Sequence, residues 1–294
     1  MSSLTSPALI KAANDALVKI APDMNIIKLF SYDCSDAVSD YGLKVKVPIV
    51  NGTGDTSVSD FNITSNDYEK ITGTVTYAEV SLNKQPKATF EFTGNNLLEA
   101  PNAPYWNRCA EGAAEVVKAS ISTTIGGLLN TTAVTTTVGI ASVTKASVAN
   151  LRKSCATRVA STVLGLAPDE YNTLLSLLDS SVYGDSDPIR TGYISNLYGF
   201  KAVIQLNDLP DGVLGALLPD NSLAFASRAV AVGDESCYSE IGTTTDENGF
   251  TLTTLRHGSP SKGKGFLNVT CLYGATIIPS LGVKLIVAND DPYA

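Results

Sequence analysis

The clearest chemical pattern in the chain lies between Gly258 and Gly265. The glycines of this segment and Lys264 match the Gly-x-x-x-x-Gly-Lys pattern of a phosphate-binding loop. Such a loop also needs a Ser or Thr hydroxyl for magnesium after the lysine, and a helix whose N-terminus faces the phosphates. Gly265 occupies the hydroxyl position, and a strand-like run begins at Phe266. The segment therefore predicts a flexible, basic hairpin loop and no nucleotide site.

His257 is the only histidine in the chain. Any histidine-based acid–base group, catalytic triad or His-rich metal site must therefore include it. It lies beside Arg256 at the edge of the same loop, and no Gly-x-Ser-x-Gly nucleophile motif occurs elsewhere in the sequence. We expect no catalytic residue, although an enzyme hypothesis would depend on His257 or Lys264.

Acidic residues form two short groups that suggest calcium binding or carboxylate-based hydrolysis. The first group is Asp33, Asp36 and Asp40, and the second is Asp208 and Asp211. Neither follows the Asp-x-Asp-x-Asp-Gly spacing of a calcium loop. We expect these residues to be solvated turn residues and predict no metal site.

The five cysteines are odd in number, widely scattered and never in Cys-x-x-Cys spacing. This pattern favours neither a disulfide framework nor a zinc site, and it fits a reducing cytosol. Cys109 and Cys155 fall on the apolar faces of predicted helices, where we expect them to behave as small buried hydrophobic residues. We expect no cofactor.

Composition limits the classes of protein that the chain can form. With 294 residues and 44% hydrophobic content, it can bury a substantial core in one elaborated domain or two. A formal charge of -8 argues against a protein that binds nucleic acid by neutralising phosphates. The first 19 residues lack the pattern of a signal peptide, and no run of about 18 apolar residues occurs. We expect a protein that is neither secreted nor inserted in a membrane.

The first 50 residues predict a helix and a strand. Apolar residues recur at helical spacing from Leu9 to Ile20, and the helix should end before Pro22, because proline disfavours helical geometry in the preceding residue. Apolar and polar residues then alternate from Leu43 to Ile49, which is typical of a half-buried strand.

Two further strand-like stretches follow, at 74–82 and 88–92. Together with the first strand they predict an extended hairpin. A two-stranded hairpin is only marginally stable in water, so this element needs a neighbour on which to lie.

A long amphipathic helix is predicted from 104 to 126. Its apolar face is formed by Cys109, Ala113, Val116, Val117, Ser120, Ile121 and Thr124. Gly126 and Gly127 are the expected end, since glycine tolerates the left-handed conformation that closes helices. Tyr105 and Trp106 at its start suit either an interface anchor or a packed helix entrance.

The second half of the chain predicts a mixture of helices and strands. One helix carries Val148, Leu151, Cys155 and Val159 on a single face, and another opens at Pro168, which suits a first helical position. The stretch from Gly192 to Leu206 is typical of two apolar strands joined at Gly199. A turn at 246–249 then precedes closing strands at 250–255 and 266–278.

This order of elements resembles the major capsid proteins of tailed bacteriophages, which share the Hong Kong-type capsid fold. The segments most similar to the family are 166–175 and the two predicted strands that are joined at Gly199 and Phe200. The resemblance implies an α+β fold whose segments have family names. They are an N-terminal arm at 1–40, an extended β-hairpin or E-loop at 41–95, a peripheral domain with a long spine helix at 96–140 and 247–294, and an axial domain at 141–246.

The resemblance also implies a function without catalysis. The chain would self-assemble through pentamers and hexamers into an icosahedral shell that encloses phage double-stranded DNA. It would be made in the host cytoplasm and end in the virion, with portal, scaffolding or cement proteins as further partners and no sequence-specific DNA binding. The alternatives are an encapsulin-type nanocompartment shell protein and a soluble oligomeric enzyme. Some relatives crosslink subunits through a hairpin lysine, and Lys84 and Lys87 lie in this region, but we do not predict a crosslink.

Overall fold

Helices and strands alternate irregularly along the chain, which gives the predicted α+β architecture. The computed structural model describes residues 7–38, 42–51, 74–93, 103–178, 193–195, 197–231, 237–245, 249–259 and 263–289. Its α-helices are α1 (Pro7–Lys28), α2 (Ala103–Leu128), α3 (Lys145–Ser154) and α4 (Pro168–Leu177). Its first strands are β1 (Ser31–Asp33), β2 (Lys44–Asn51), β3 (Thr74–Ser81), β4 (Lys87–Thr93), β5 (Thr137–Ile140), β6 (Thr162–Leu166), β7 (Tyr193–Ser195) and β8 (Ala202–Gln205). The others are β9 (Val213–Pro219), β10 (Leu223–Arg228), β11 (Glu240–Thr245), β12 (Thr251–Ser259), β13 (Lys264–Thr270), β14 (Leu272–Ile277) and β15 (Lys284–Ala288).

The long helix α2 is confirmed, but its buried face differs from the predicted one. Its fully buried residues are Ala110, Ala113, Ala114, Val117 and Ile121. Val116, predicted to be apolar and inward, is 54% exposed. The predicted end at the two glycines is also wrong, since the helix continues to Leu128. At Gly126 a Cβ atom would lie 2.4 Å from the carbonyl oxygen of Asp208, so glycine is needed there for close packing.

The first helix extends further than the sequence predicts. α1 continues through Pro22 to Lys28, so the predicted end before the proline is wrong. The apolar residues Ile26 and Ile27 lie beyond the proline and pack against the main core. Tertiary packing of this kind outweighs the hydrogen bond that a proline removes from a helix interior.

A four-stranded sheet, in the order β11-β12-β13-β4, packs on the long helix α2. β4 was predicted to belong to the extended hairpin, and this prediction is wrong. It pairs antiparallel with β13, with Phe90 opposite Leu267. Phe90 and Ala88 pack against the main core beside α2, and this burial explains why the strand leaves the hairpin.

A six-stranded sheet, in the order β5-β15-β9-β6-β8-β7, supports a second core with α3 and α4. Pro168 occupies the start of α4, as predicted, and Gly199, with φ +83°, lies in the connection between the paired strands β7 and β8. The sheet joins β5 and β15 to strands from the segment 141–246. Because strands from both predicted domains share this sheet, the sheet does not mark a boundary between them. The boundaries at 140 and 246 remain predictions.

The strands β2 and β3 form the predicted antiparallel ribbon, from the pair Lys44 and Ser81 to the pair Asn51 and Thr74. It lies over a three-stranded sheet in the order β1-β10-β14. The ribbon residues buried in this contact are Val45, Val47, Ile49 and Val80. This part of the hairpin was expected to need a surface on which to lie, and the three-stranded sheet of its own chain provides that surface. Leu43, which was predicted to face inward, is 56% exposed.

Candidate assembly surfaces

The segment that resembles a phosphate-binding loop is part of a hairpin. Gly258 and Ser259 end β12 and pair with Gly265 and Lys264 at the start of β13. Strand β13 follows Lys264 where a phosphate-binding loop would have its helix. Lys264 forms an ion pair with Glu91 on the neighbouring strand. The hairpin prediction is thus confirmed, and the geometry does not suit nucleotide binding.

His257 is part of an aromatic cluster on the same sheet. Its ring stacks on Phe266, with centroids 5.0 Å apart, and meets the ring of Tyr238 edge-on at 5.9 Å. Its Nδ1 lies 3.4 Å from the amide nitrogen of Asn268. These contacts are those of a packing residue, and they give the enzyme hypothesis no support.

Two of the predicted acidic residues accept hydrogen bonds, Asp33 within a turn and Asp208 from the long helix. The Asp33 carboxylate accepts hydrogen bonds from the backbone N–H of Ser35 at 2.9 Å and from its hydroxyl at 2.6 Å. The Asp208 carboxylate accepts one from the Thr123 hydroxyl at 3.1 Å. Among the described residues, His, Cys, Asp and Glu side chains form no cluster of three or more that could hold a metal ion. Asp40 lies outside the described residues.

All five cysteines are free thiols. Cys109 is buried, as predicted, whereas Cys155 is only half-buried. Burial raises the pKa of the Cys271 thiol to about 12. Burial and the nearby Asp33 carboxylate raise the pKa of Cys34 to about 11. These two thiols are therefore protonated and poorly nucleophilic at neutral pH.

The two lysines assigned to the hairpin do not lie on the ribbon. Lys84 exchanges backbone hydrogen bonds with Tyr273, at 3.2 and 2.9 Å, where the chain leaves the ribbon. Lys87 is the first residue of β4. The side chains of Tyr105 and Trp106, the predicted anchors, lie outside the described residues.

The root of the ribbon is fixed to its own chain by polar contacts as well as by burial. The Thr276 hydroxyl donates a hydrogen bond to the backbone oxygen of Glu79 at 2.9 Å. The Arg228 guanidinium donates one to the backbone oxygen of Gly42, also at 2.9 Å. The ribbon therefore leaves the body of the subunit from a defined position, while its tip, 52–73, lies outside the described residues.

The outer face of the ribbon is exposed and has both charged and aromatic character. Tyr77 is 65% exposed and lies opposite Pro48 across the ribbon. Two pairs further along, Glu79 lies opposite Lys46, and its carboxylate accepts a 2.6 Å hydrogen bond from Lys44. This hydrogen bond and the charge of Lys44 lower the pKa of Glu79. An exposed tyrosine is typical of a contact surface for another protein.

Other large apolar side chains are also exposed. The most exposed is Val18 on α1, at 74%. The others, besides Tyr77, are Tyr32, Leu43 and Val116. Single exposed apolar residues are normal on a monomer, but these lie on the first helix, the strand β1, the start of the ribbon and the long helix. These elements are thus candidates for contacts between subunits. No helix in the described ranges is long and apolar enough to cross a membrane.

The arrangement of these elements defines a class of fold. The chain combines a ribbon that starts on a small sheet, a long helix packed against a second sheet, and a separate core around a six-stranded sheet. Superposition on solved capsid structures shows that this arrangement is the capsid fold of tailed bacteriophages, as the sequence resemblance predicted.

Solved structures of particle subunits superpose on most of the chain. The capsid of the cyanophage P-SCSP1u matches with a TM-score of 0.56 and 12% identity, over 90% of this chain and 88% of the other. The capsid of a native GTA particle matches with a TM-score of 0.56 and 15% identity, over 90% of each chain. The virus-like particle from Pyrococcus furiosus matches with a TM-score of 0.52 and 13% identity, over 94% of this chain and 97% of the other. No family model and no curated protein matches the sequence.

Proposed function

We propose that the chain is the major capsid protein of a tailed bacteriophage and that its copies assemble through pentamers and hexamers into an icosahedral shell. The observation that carries this proposal is the capsid fold together with a ribbon whose outer face is unburied. A ribbon that is fixed to its own subunit on one face and exposed on the other face can contact a neighbouring copy. Protein interfaces typically bury about 800 Å² per partner, and many such contacts summed over a closed shell make it stable.

The charge of the chain suits a container for double-stranded DNA. A net charge of -8 leaves no overall attraction for the phosphate backbone, which would otherwise hinder packing of the genome. In this proposal the chain is not an enzyme, and it is located in the virion after assembly in the host cytoplasm. Portal, scaffolding or cement proteins are further proposed partners.

A shell around a protein cargo, of the encapsulin type, is the second candidate. It is retained because a particle that is not described as a phage capsid, the virus-like particle from Pyrococcus furiosus, also matches, over 97% of its own chain. Particles purified from the natural source separate the two candidates. Nuclease-protected double-stranded DNA inside them would support the phage capsid, whereas a stoichiometric co-purified protein would support the compartment.

The test of self-assembly is sedimentation and negative-stain microscopy of the purified full-length chain. A matched variant replaces residues 52–73 by Asn-Gly, because the ribbon ends on the antiparallel pair Asn51 and Thr74 and a two-residue turn can join such a pair. We expect closed shells from the natural chain and folded but poorly assembling subunits from the variant. If the natural chain remains a small oligomer under all assembly conditions, the proposed function is wrong. Normal shells from the variant would show that the tip, 52–73, has no part in assembly.

A further inference from the structure

A cavity of about 260 Å³ opens at one end of the six-stranded sheet, where β6 and β15 begin and β9 ends. Its lining includes two cationic side chains, Arg158 and Lys284, and no Asp or Glu. The hydroxyl-bearing residues Thr162 and Ser280 and the thiol-bearing Cys155 also line it. The cavity is therefore positively charged and offers hydrogen-bond donors.

Both cations are held in place by backbone carbonyl groups. The Arg158 guanidinium donates a hydrogen bond to the carbonyl oxygen of Leu281 at 3.3 Å. The Lys284 ammonium donates one to the carbonyl oxygen of Ser154 at 2.7 Å. Neither cation forms a salt bridge with a carboxylate in the part of the chain that the structure describes. A guanidinium has five N–H donors and an ammonium has three, so both retain donors for an anion.

The sequence around the cavity is also unusually basic for this chain. From 116 to 168 it contains no acidic residue, although the whole chain has a net charge of -8. The bases of this segment are Lys118, Lys145, Arg152, Lys153 and Arg158. The fold adds Lys284 from the far end of the chain to this segment. A concave site with one sign of charge attracts groups of the opposite sign.

The opposite charge occurs at the tip of the ribbon. Residues 52–73 contain four acids against one base, a net charge of -3. The acids are Asp55, Asp60, Asp67 and Glu69, and the base is Lys70. These 22 residues connect Asn51 to Thr74, the last described pair of the ribbon.

We propose that Arg158 and Lys284 form a carboxylate-binding site for the acidic ribbon tip of a second copy of this chain. The inference rests on the proposed self-assembly and specifies one of its contacts. Arginine binds carboxylates through two parallel hydrogen bonds, and a lysine that lines the same cavity adds a second charge. The site would set the position of the tip on the neighbouring subunit, because charge pairs determine register between proteins.

The experiment measures the protein concentration at which half of the full-length chain is in shells. The double variant Arg158→Glu with Lys284→Glu should raise this concentration about tenfold. Lys87→Glu is the matched control, since Lys87 is exposed at the start of β4 and does not line the cavity, and it should change the value less than about twofold. Conversion of the four tip acids to Asn or Gln should have the same effect as the cavity variant. The two sets of changes combined should give no further loss, because they remove the same contact.

A charge swap separates this contact from a general role in folding. Conversion of the four tip acids to Lys in the chain with the double cavity variant should restore most of the lost assembly. Higher salt should weaken assembly of the natural chain more than that of the double variant. Failure of the swap, with a folded subunit by circular dichroism, would overturn the inference.

Other outcomes distinguish this inference from the proposed function. If the natural chain forms shells and the double cavity variant assembles equally well, the contact is wrong and the proposed function stands. If the natural chain forms no shells, the proposed function itself fails. If inorganic phosphate stabilises the natural chain but not the cavity variant, and neutral tip residues leave assembly unchanged, the cavity holds a free oxyanion and the tip contact is overturned.

Discussion

The hydroxyl oxygen of Tyr273 lies 2.7 Å from the hydroxyl oxygen of Thr124 and donates a hydrogen bond to the carbonyl oxygen of Ser120 at 3.0 Å. The tyrosine is fully buried, and its ring stacks on Phe225 at a centroid distance of 6.0 Å. Burial raises the pKa of the Tyr273 hydroxyl, which therefore remains a neutral donor. This contact joins the long helix α2 to β14, a strand of the sheet under the ribbon.

The contact between Tyr273 and the long helix should contribute to the stability of the subunit. Tyr273→Phe removes the hydroxyl group and retains the ring, while Thr124 keeps its own 2.9 Å hydrogen bond to the Ser120 carbonyl. We expect the free energy of unfolding to fall by about 1 kcal/mol, the usual net contribution of a hydrogen bond. Urea denaturation of the unassembled subunit measures this change. Unchanged stability would show that the hydroxyl group does not contribute to the contact.

The two glycines near the end of α2 provide a matched pair for the second prediction. At Gly126 an added Cβ atom would lie 2.4 Å from the Asp208 carbonyl oxygen, whereas at Gly127 nothing lies within 4 Å. Gly126→Ala should destabilise the subunit by about 1–3 kcal/mol through overpacking. Gly127→Ala should stabilise it by up to about 1 kcal/mol, because alanine favours the helix. Thermal denaturation of both variants is the test, and equal shifts would contradict the close approach of the loop to the helix.

Local sequence patterns predicted the positions of the helices and strands better than they predicted which strands pair with one another. The alternation at Val45, Val47 and Ile49 correctly gave the buried face of the ribbon, and Pro168 correctly marked the start of a helix. Both signals are local, since side-chain direction and proline geometry depend only on nearby residues. The elements of the fold were therefore largely predictable.

Strand partners were not predictable in the same way. β4 pairs with β13 across a long sequence separation, and nothing in its own residues distinguishes that pairing from a place in the ribbon. The cavity has the same origin, since the fold brings Lys284 to Arg158 through the sheet that contains β6, β9 and β15. Long-range pairings depend on the whole topology, for which single-sequence patterns carry little information.

The third prediction concerns alkaline pH. The folded-state pKa of Cys271 is about 12 against an ordinary value of 9.0, because the thiol is buried. Below about pH 9 the thiol is protonated in both states, and its contribution to stability is fully present. Above that pH the unfolded chain releases the proton and the folded chain retains it, so stability falls by up to about 1.4 kcal/mol per pH unit until about pH 12.

Urea denaturation from about pH 8 to about pH 10.5 measures this slope. Cys271→Ala should lower stability at neutral pH and reduce the alkaline loss, because the titrating thiol is absent. Cys237→Ala is the control, since Cys237 is exposed, and its slope should match that of the natural chain. If Cys271→Ala retained the full slope, other groups would be responsible for the alkaline loss.

A substitution on the buried face of the ribbon should affect folding of the subunit, whereas a substitution on the exposed face should affect assembly. Val80 is fully buried against the three-stranded sheet, whereas Tyr77 on the opposite face is 65% exposed. Val80→Ala should lower the free energy of unfolding of the subunit by about 2 kcal/mol, because it leaves a cavity in the ribbon root. Tyr77→Ser should change that free energy by less than about 0.5 kcal/mol, as expected for an exposed side chain, but should raise the concentration needed for shells. Denaturation of the unassembled subunit and sedimentation of the shells give the two readings. If Tyr77→Ser destabilised the isolated subunit as much as Val80→Ala, the outer face of the ribbon would pack on its own chain and would not be available to a neighbour.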